Sequence, residues 1–408
     1  MNQLCPNECR LGAIDILTTL RENGFEAYFA GGCVRDRLMQ ITPAEYDIAT
    51  SARPNDIKKI FPKARSVGEH FGVMLVVRNE FSYDVATFRS DGPYSDCRHP
   101  DKIQFSDAKH DAMRRDFTIN GMFEDPIEEK IIDYVDGQMD LDNRLVRSIG
   151  NPHNRISEDH LRMLRGIRFA ARFEFSIEEE TGNAIRELAN ELSGISRERI
   201  GDEIKKMLED QNRGVAAWEL QYLGLDRIIF AEQSCMKAPT RLGRLPASST
   251  FSTALAAWII DRNGSDADLH AIAKHWRSQL LLSNKVFNEL ETILVLHQQL
   301  FAWDTLGTAK QKRVASSEHR TSALSIIQGE DRAAFVYIKR RITELEKTGL
   351  APKRFINGND LISAGIKPPT IIGSVLEAVY DAQLEGAITT REEAITLALG
   401  IYRDFQSS

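Results

Sequence analysis

The sequence predicts a mixed α+β head followed by a long all-α arm. Three observations carry that expectation. Short apolar runs bounded by Gly, Asn and polar turn residues are confined to the first third of the chain. Strand-like alternation disappears after about residue 155. From there Leu161, Leu164, Ile167 and Phe169 to Ala171 recur at helical spacing, and Pro becomes scarce.

The elements follow in order. Ile14 to Asn23 has a helical period that Gly24 ends. Ala27 to Ala30 reads as a strand running into the tight turn of Gly31-Gly32, and Tyr46 to Ala49 as a second strand. Pro54 to Phe61 reads as a helix. Val73 to Val77 and Ser82 to Phe88 read as a hairpin closed by Arg78-Asn79-Glu80. Ser90 to His99 is polar, contains Gly92 and Pro93, and reads as a mobile loop; Asp111 to Phe117 begins another helical stretch. The arm is helical throughout, with soft breaks at Gln211 to Gly214, Ala238 to Ser249 and around Gly349 to Gly358. No internal repeat is visible.

Composition narrows the class. The 408 residues leave room for two to four domains at roughly 100–200 residues each. With 42% hydrophobic and 27% charged residues the chain is ordinary for a soluble globular protein, and no apolar run is long enough to span a membrane. The first residues, MNQLCPNECR, lack a basic stretch leading into an apolar one, so no signal peptide is expected. The five cysteines (Cys5, Cys9, Cys33, Cys97 and Cys235) are scattered and odd in number, which fits a reducing cytoplasm. Cys5 and Cys9 have no second pair, so a zinc site is not expected. A net charge of -7 argues against coating nucleic acid by bulk charge and leaves a local basic surface as the alternative.

Four constellations carry chemistry. In Gly31-Gly32-Cys33-Val34-Arg35-Asp36 a strand meets a glycine pair and then a helix bearing Arg. Glycine lets backbone approach a ligand, and a guanidinium fork suits phosphate oxygens, so the segment could hold a triphosphate; a plain strand–helix corner with a surface Arg has the same pattern. Glu45-Tyr46-Asp47 places two carboxylates at i and i+2, on one face if the segment is a strand. Converging carboxylates hold divalent metals for phosphoryl transfer, and Asp84 on a nearby strand could supply a third; a solvated acidic face is the alternative. In Arg114-Arg115-Asp116 one Asp cannot neutralise both arginines, which could leave a cation for phosphate, while Asp116 could accept from a ribose hydroxyl; an ordinary salt-bridged helix start is the alternative. Finally, Arg162, Arg165, Arg168 and Arg172 line one helix face, with Asp159 one turn before Arg162. An adjacent acceptor and donor can mimic a Watson–Crick edge; a solvated Arg stripe is the alternative.

GGCVRD, EYDIATSARP, VGEHFGVMLV, YDVATFR, RRDFTIN and EDHLRMLRGIRFAA together resemble the class II tRNA nucleotidyltransferase and bacterial poly(A) polymerase family. The likeness is dense over residues 27–208, extends through Glu198-Arg199 to Glu203, and returns at Asn357 to Ile362 and Gln383 to Gly386. It implies a polymerase β type nucleotidyltransferase head at 1–149, a helical neck with a base-recognition helix at 150–213, a helical body at 214–345 and a tail contacting tRNA at 346–408. It implies addition of CMP and AMP to the tRNA 3′ end from CTP and ATP, without a nucleic-acid template, using Mg²⁺. By the resemblance Asp47 is a metal-binding catalytic carboxylate with Glu45 at its partner position; Asp84 is counted as a third catalytic candidate from its place on the nearby strand, with an edge-strand surface acid as the alternative. Gly31, Gly32, Arg35 and Arg115 contact the triphosphate and Asp116 the ribose. Asp159 and Arg162 read the base with Arg165 and Arg168 in support, so GTP and UTP are expected to be poor substrates. Ser90 to His99 corresponds to the loop that helps the pocket change from C to A. Glu45 stands where the family usually has Asp, Gly121 where Ala is usual, and Cys97 where the loop usually has Gly.

The partners expected are the tRNA acceptor end, CTP and ATP, in the cytoplasm, with no membrane and no stable protein partner evident. A partial enzyme adding only CC or only A, a poly(A) polymerase, and an RNA-binding module that has lost catalysis are the competing readings. The tail ends Ile401 to Ser408 without the basic extension expected of a poly(A) polymerase.

Overall fold

A computed structural model of the chain describes residues 6–67, 72–92, 103–366 and 369–407. It contains two compact units, Met1–Met236 and Lys237–Ser408.

The first unit opens with α1 (Pro6–Glu22), β1 (Ala27–Ala30), α2 (Gly32–Leu38), β2 (Ile48–Thr50) and α3 (Pro54–Ile60). Then come β3 (Arg65–Ser66), β4 (Val73–Arg78), β5 (Phe81–Thr87), β6 (Arg89–Asp91), β7 (Ile103–Phe105) and α4 (Ala108–Met113). β8 (Phe123–Asp125) and β9 (Lys130–Ile132) complete a seven-stranded sheet of order β3-β4-β5-β2-β1-β8-β9. The hairpin turn is the two residues Asn79 and Glu80, both left-handed (φ 50° and 67°), as a tight hairpin between twisted strands requires. β2 and β5 run parallel with Ile48 opposite Val85, whereas β1 is antiparallel to both β2 and β8. Ile48 and Val85 pack into the core beneath α1 with Ile16, Leu17 and Phe29. Alternation then leaves Asp47, Ala49, Asp84 and Ala86 on the other face, where the alanines leave room.

In the head, three elements differ from expectation. β2 begins at Ile48; Asp47 abuts it, its carbonyl still accepting from the Ala30 N–H at 3.0 Å, whereas Glu45 lies before the strand and the strand-face argument does not reach it. α4 is capped by the Asp107 side chain and stops at Met113; Phe117 is extended (φ −126°), its ring packed edge-on against Phe169, and Thr118–Asn120 form a 3-10 turn. Ser90 and Asp91 are not loop: they pair with Gln104 and Ile103, because backbone pairing is indifferent to side-chain polarity. The predicted loop from residue 93 on, including Cys97, lies outside the described residues, as does Cys5; Cys9, Cys33 and Cys235 are free thiols.

The helical part of this unit holds α5 (Gly137–Asp142), β10 (Leu145–Val146), α6 (Pro152–Glu158), α7 (Leu161–Phe173), β11 (Ser176–Ile177), α8 (Glu179–Glu187), α9 (Arg197–Glu209), α10 (Arg213–Tyr222) and α11 (Asp226–Phe230). β10 and β11 form a short parallel pair within it. Asp159 interrupts the helix expected to run through it. Its backbone is extended (φ −150°) and closes α6, and its carboxylate accepts from the Leu161 N–H two residues on at 3.1 Å, so the side chain lies before α7 instead of on it.

The second unit is all helix: α12 (Thr240–Gly243), α13 (Phe251–Asn263), α14 (Leu269–Leu280), α15 (Asn284–Phe301), α16 (Thr308–Ser316), α17 (Arg320–Glu330), α18 (Arg332–Glu346), α19 (Gly358–Ser363), α20 (Pro369–Glu385) and α21 (Arg391–Ser407). Asn357 and Asp360 form a reciprocal capping box at the start of α19. Gln383 bridges the segment before it, donating to the Lys353 carbonyl at 2.8 Å and accepting from the Phe355 N–H at 3.1 Å. Leu361, Val375, Val379, Ala394 and Ala398 form the core of these last three helices. Among the described residues no helix is long and apolar enough to cross a membrane.

Candidate functional site

A cleft of about 590 Å³ opens over the sheet face that carries Ala49 and Ala86. Gly31, Gly32, Arg35, Asp47, Asp84, Arg114, Arg115, Asp116, Asp159, Arg162, Arg165 and Arg168 all line it; Glu45 and Arg172 do not. One wall begins at the β1–α2 turn. Gly31 has φ 71°, a left-handed conformation that calls for glycine, and a Cβ there would also press on Arg115 Nη1 at 2.9 Å. One turn into α2, Arg35 is only 5% exposed; it donates through Nε and Nη2 to Asp36 Oδ1 (2.9 and 2.6 Å) and through Nη1 to Asn120 Oδ1. Its guanidinium lies over the rings of Phe173 (4.5 Å) and Phe169 (5.3 Å), which stack on each other along α7.

The floor is acidic. Because β2 and β5 are in parallel register, Asp47 and Asp84 come side by side at the leading ends of Ile48 and Val85. Asp47 is open to solvent, but the cleft walls surround it. That desolvation, followed by the charge of Asp84 and then Glu45, pushes its pKa up to about 6 against the opposing pull of Arg115. Glu45 contributes its charge from the extended segment before β2. Among the described residues no group of three His, Cys, Asp or Glu side chains converges as a closed metal site. The donor set is therefore an open one: Asp47 and Asp84 together, held at a cost that a cation would relieve. This fits a hard divalent ion that takes one or two carboxylates and completes its shell with phosphate and water.

The opposite side is a row of arginines, each oriented by an acid. Asp111, buried at the end of α4, accepts from Arg114 at 2.7 Å and from Arg115 at 3.0 Å. Sequence reasoning looked for one free arginine beside Asp116; Asp111 instead holds both, and Asp116 turns to Arg165 at 2.6 Å. Burial alone would raise the Asp116 carboxyl, but Arg165, Asn120 and the Phe117 N–H together hold it down to about 2. Arg162 donates to Glu158 and to the Arg155 carbonyl, both at 2.6 Å. Arg168 pairs with buried Glu203 at 2.7 Å. Asp159 and Arg162 both reach the cleft, but Asp159 is held by Arg199 at 2.8 Å and does not pair with Arg162. In the sequence Arg199 and Glu203 belong only to a resembling segment; their role as supports for Asp159 and Arg168 depends on α9 packing along α7. Asp111 and Asn120 gave no signal beyond their neighbours.

An acidic floor facing a cationic wall across a cleft of this size suits a triphosphate with its metal, with room left over Asp159 and Arg162 for a base.

Comparison with known proteins agrees in extent. The family described as "Poly A polymerase head domain" matches residues 27–147, and that described as "Probable RNA and SrmB- binding site of polymerase A" matches residues 174–236. The CCA-adding enzyme of Enterococcus faecalis is 40% identical over 301 residues, 71% of this chain and 70% of that protein. The CCA-adding enzyme of Ligilactobacillus salivarius is 31% identical over 401 residues, 94% of each chain. Among solved structures, the Bacillus stearothermophilus CCA-adding enzyme in complex with CTP superimposes with a TM-score of 0.77 and 26% identity, covering 99% of this chain and 100% of that one.

Proposed function

The chain belongs to the CCA-adding enzyme family, and from that membership we propose that it adds CMP and AMP to the 3′ end of tRNA from CTP and ATP, without a nucleic-acid template. The observation that carries this reading is the cleft itself: Asp47 and Asp84 side by side beneath Arg35, Arg115 and the arginines of α7.

Enzymes of this family are metal-dependent. Asp47 and Asp84 would hold the ion, which we take to be Mg²⁺, with Glu45 adding charge from the rim. When bound there, it lowers the pKa of the RNA 3′-hydroxyl and neutralises charge on the phosphates. The chain's own groups do the rest. The Gly31-Gly32 turn lets the triphosphate approach the backbone, and Arg35 and Arg115 take its oxygens, so the α-phosphorus faces the incoming hydroxyl and the leaving pyrophosphate stays neutralised. Asp116, ionised at any working pH, accepts from the ribose hydroxyl, with Arg165 fixing its direction. Asp159 accepts from the exocyclic amine of C or A, and Arg162 donates to the neighbouring ring position. U and G lack an amine there. Arg168, seated on Glu203, supports Arg162 from the next turn. In this scheme residues 1–149 are the catalytic head, 150–213 the base-reading neck, 214–345 the body and 346–408 the tRNA-contacting tail, and the enzyme works in the cytoplasm.

The test is primer extension on tRNA transcripts ending before CCA, after C and after CC, with each NTP alone and with CTP plus ATP. Three nucleotides added to the shortest transcript, then arrest, is the expected result. Extension only from the CC end, arrest after CC, or a long A ladder on any RNA each replaces the proposal with a narrower or different polymerase.

A further inference from the structure

Asn120 closes the 3-10 turn after Asp116 and is 8% exposed at the back of the cleft. Its side chain joins two groups assigned above to different parts of the nucleotide. Oδ1 accepts from Arg35 Nη1, and Nδ2 donates to Asp116 Oδ1 at 3.1 Å; its backbone carbonyl accepts from Arg115 Nη1 at 3.2 Å. A guanidinium only donates, and an ionised carboxylate only accepts. The amide therefore has one orientation available: oxygen towards Arg35, nitrogen towards Asp116. Among side chains of this size only Asn serves both. Asp would keep the acceptor for Arg35 but set a carboxylate against a carboxylate; Ala would serve neither.

Arg35 keeps Asp36 and Asp116 keeps Arg165 whatever stands at position 120, so neither charge is orphaned by a substitution there. What is lost is the link between them. We propose that Asn120 is a positioning residue that fixes Arg35 against Asp116, so that grip on the triphosphate and selection of a ribose are set together. This rests on the reading of Arg35 as a phosphate contact and Asp116 as a ribose contact.

The test measures kcat and KM for CTP and for 2′-deoxy-CTP on a tRNA transcript lacking CCA, in the wild type, Asn120→Ala and Asn120→Asp, with thermal midpoints alongside. Wild type is expected to prefer CTP. Asn120→Ala is expected to raise KM for CTP about tenfold and to cut the ribose preference by a similar factor, as for loss of a hydrogen bond to a charged group, with kcat changed less. Asn120→Asp is expected to keep KM for CTP within about threefold, since Arg35 retains its acceptor, while the ribose preference still falls. An equal loss of kcat on both nucleotides with the preference intact would make Asn120 merely structural and overturn the proposal. A wild type that does not distinguish the two nucleotides would overturn the ribose role of Asp116 first, and the coupling with it. Should Asn120→Ala fail to fold, the near-isosteric Asn120→Asp decides, and an unchanged preference there overturns the coupling.

Discussion

Helices α7 and α13 are each 13 residues long, and they constrain their side chains in opposite ways. α13 is buried all round from Phe251 to Arg262, with Trp258 packed edge-on against Trp276 at 5.5 Å. α7 buries Met163, Leu164, Ile167 and Ala170 on one side and turns Arg162, Arg165 and Arg168 into the cleft, each paired with a carboxylate. Burial in α13 asks for volume and apolarity, which many sequences satisfy. The cleft side of α7 asks for a particular charge at a particular place. Substitutions in the two regions should therefore be read in different observables, stability for one and chemistry for the other.

The sharpest separation is expected at Asp47. Asp47→Asn keeps shape and removes the charge, and nucleotide incorporation should fall by about 10³-fold or more, the scale of losing a catalytic metal ligand. Stability should move the other way. The folded-state pKa is raised to about 6, above the ordinary carboxylate value, so in the metal-free protein the charge destabilises the fold as pH rises through that range. Asn should then raise the thermal midpoint of metal-free protein at pH 8 and leave it unchanged at pH 4. A lower midpoint at pH 8 would mean that the acidic floor is not strained. The same shift makes metal affinity in the wild type fall as pH drops from 7 towards 5, measurable by titrating Mg²⁺ against incorporation or by calorimetry.

Trp258→Ala is the counterpart in α13. Removing a fully buried indole should cost about 3–5 kcal/mol in urea unfolding of the full chain. A loss under about 1 kcal/mol would show that α13 repacks freely, and the contrast with α7 would lose one side.

The same distinction explains what could be read before the structure. Gly31-Gly32 and the hairpin turn at Asn79-Glu80 are local, and the chain states them directly; the side-by-side placement of Asp47 and Asp84, 37 residues apart, comes from the parallel register of β2 and β5. The helix break at Asp159 was missed because its carboxylate competes for the Leu161 N–H, a choice that helical spacing does not register. Arg199 meets Asp159 across 40 residues and Glu203 meets Arg168 across 35, so neither pairing has a signature in spacing. Asp111 looked like one more helical acid; that it gathers both Arg114 and Arg115 follows from where α4 ends. The residues that line the cleft were legible, and the groups that orient them were not.

That gap can be probed at Arg162. Its guanidinium is already tied to Glu158 and the Arg155 carbonyl, so it arrives at the cleft oriented. Arg162→Ala should reduce the preference for C and A over U and G by about tenfold or more, while triphosphate affinity changes by less than about threefold. Equal losses for all four nucleotides would put Arg162 on the phosphates and leave Asp159 with Arg199 to read the base.

The smallest effect is expected at Glu45, the one candidate carboxylate that does not line the cleft. It sits on the extended segment before β2, and its charge reaches Asp47 without the side chain joining Asp84 in a three-carboxylate group. If that placement holds during turnover, its contribution is electrostatic, and shortening the side chain by one methylene changes distance more than role. Glu45→Asp should then keep at least about a tenth of wild-type incorporation, and Glu45→Gln should lose more than Glu45→Asp because charge outweighs reach. Complete loss in Glu45→Asp would mean that the longer side chain swings into the cleft and binds the metal directly. The floor would then contain three working carboxylates, and the segment before β2 would belong to the chemistry as fully as α7 does.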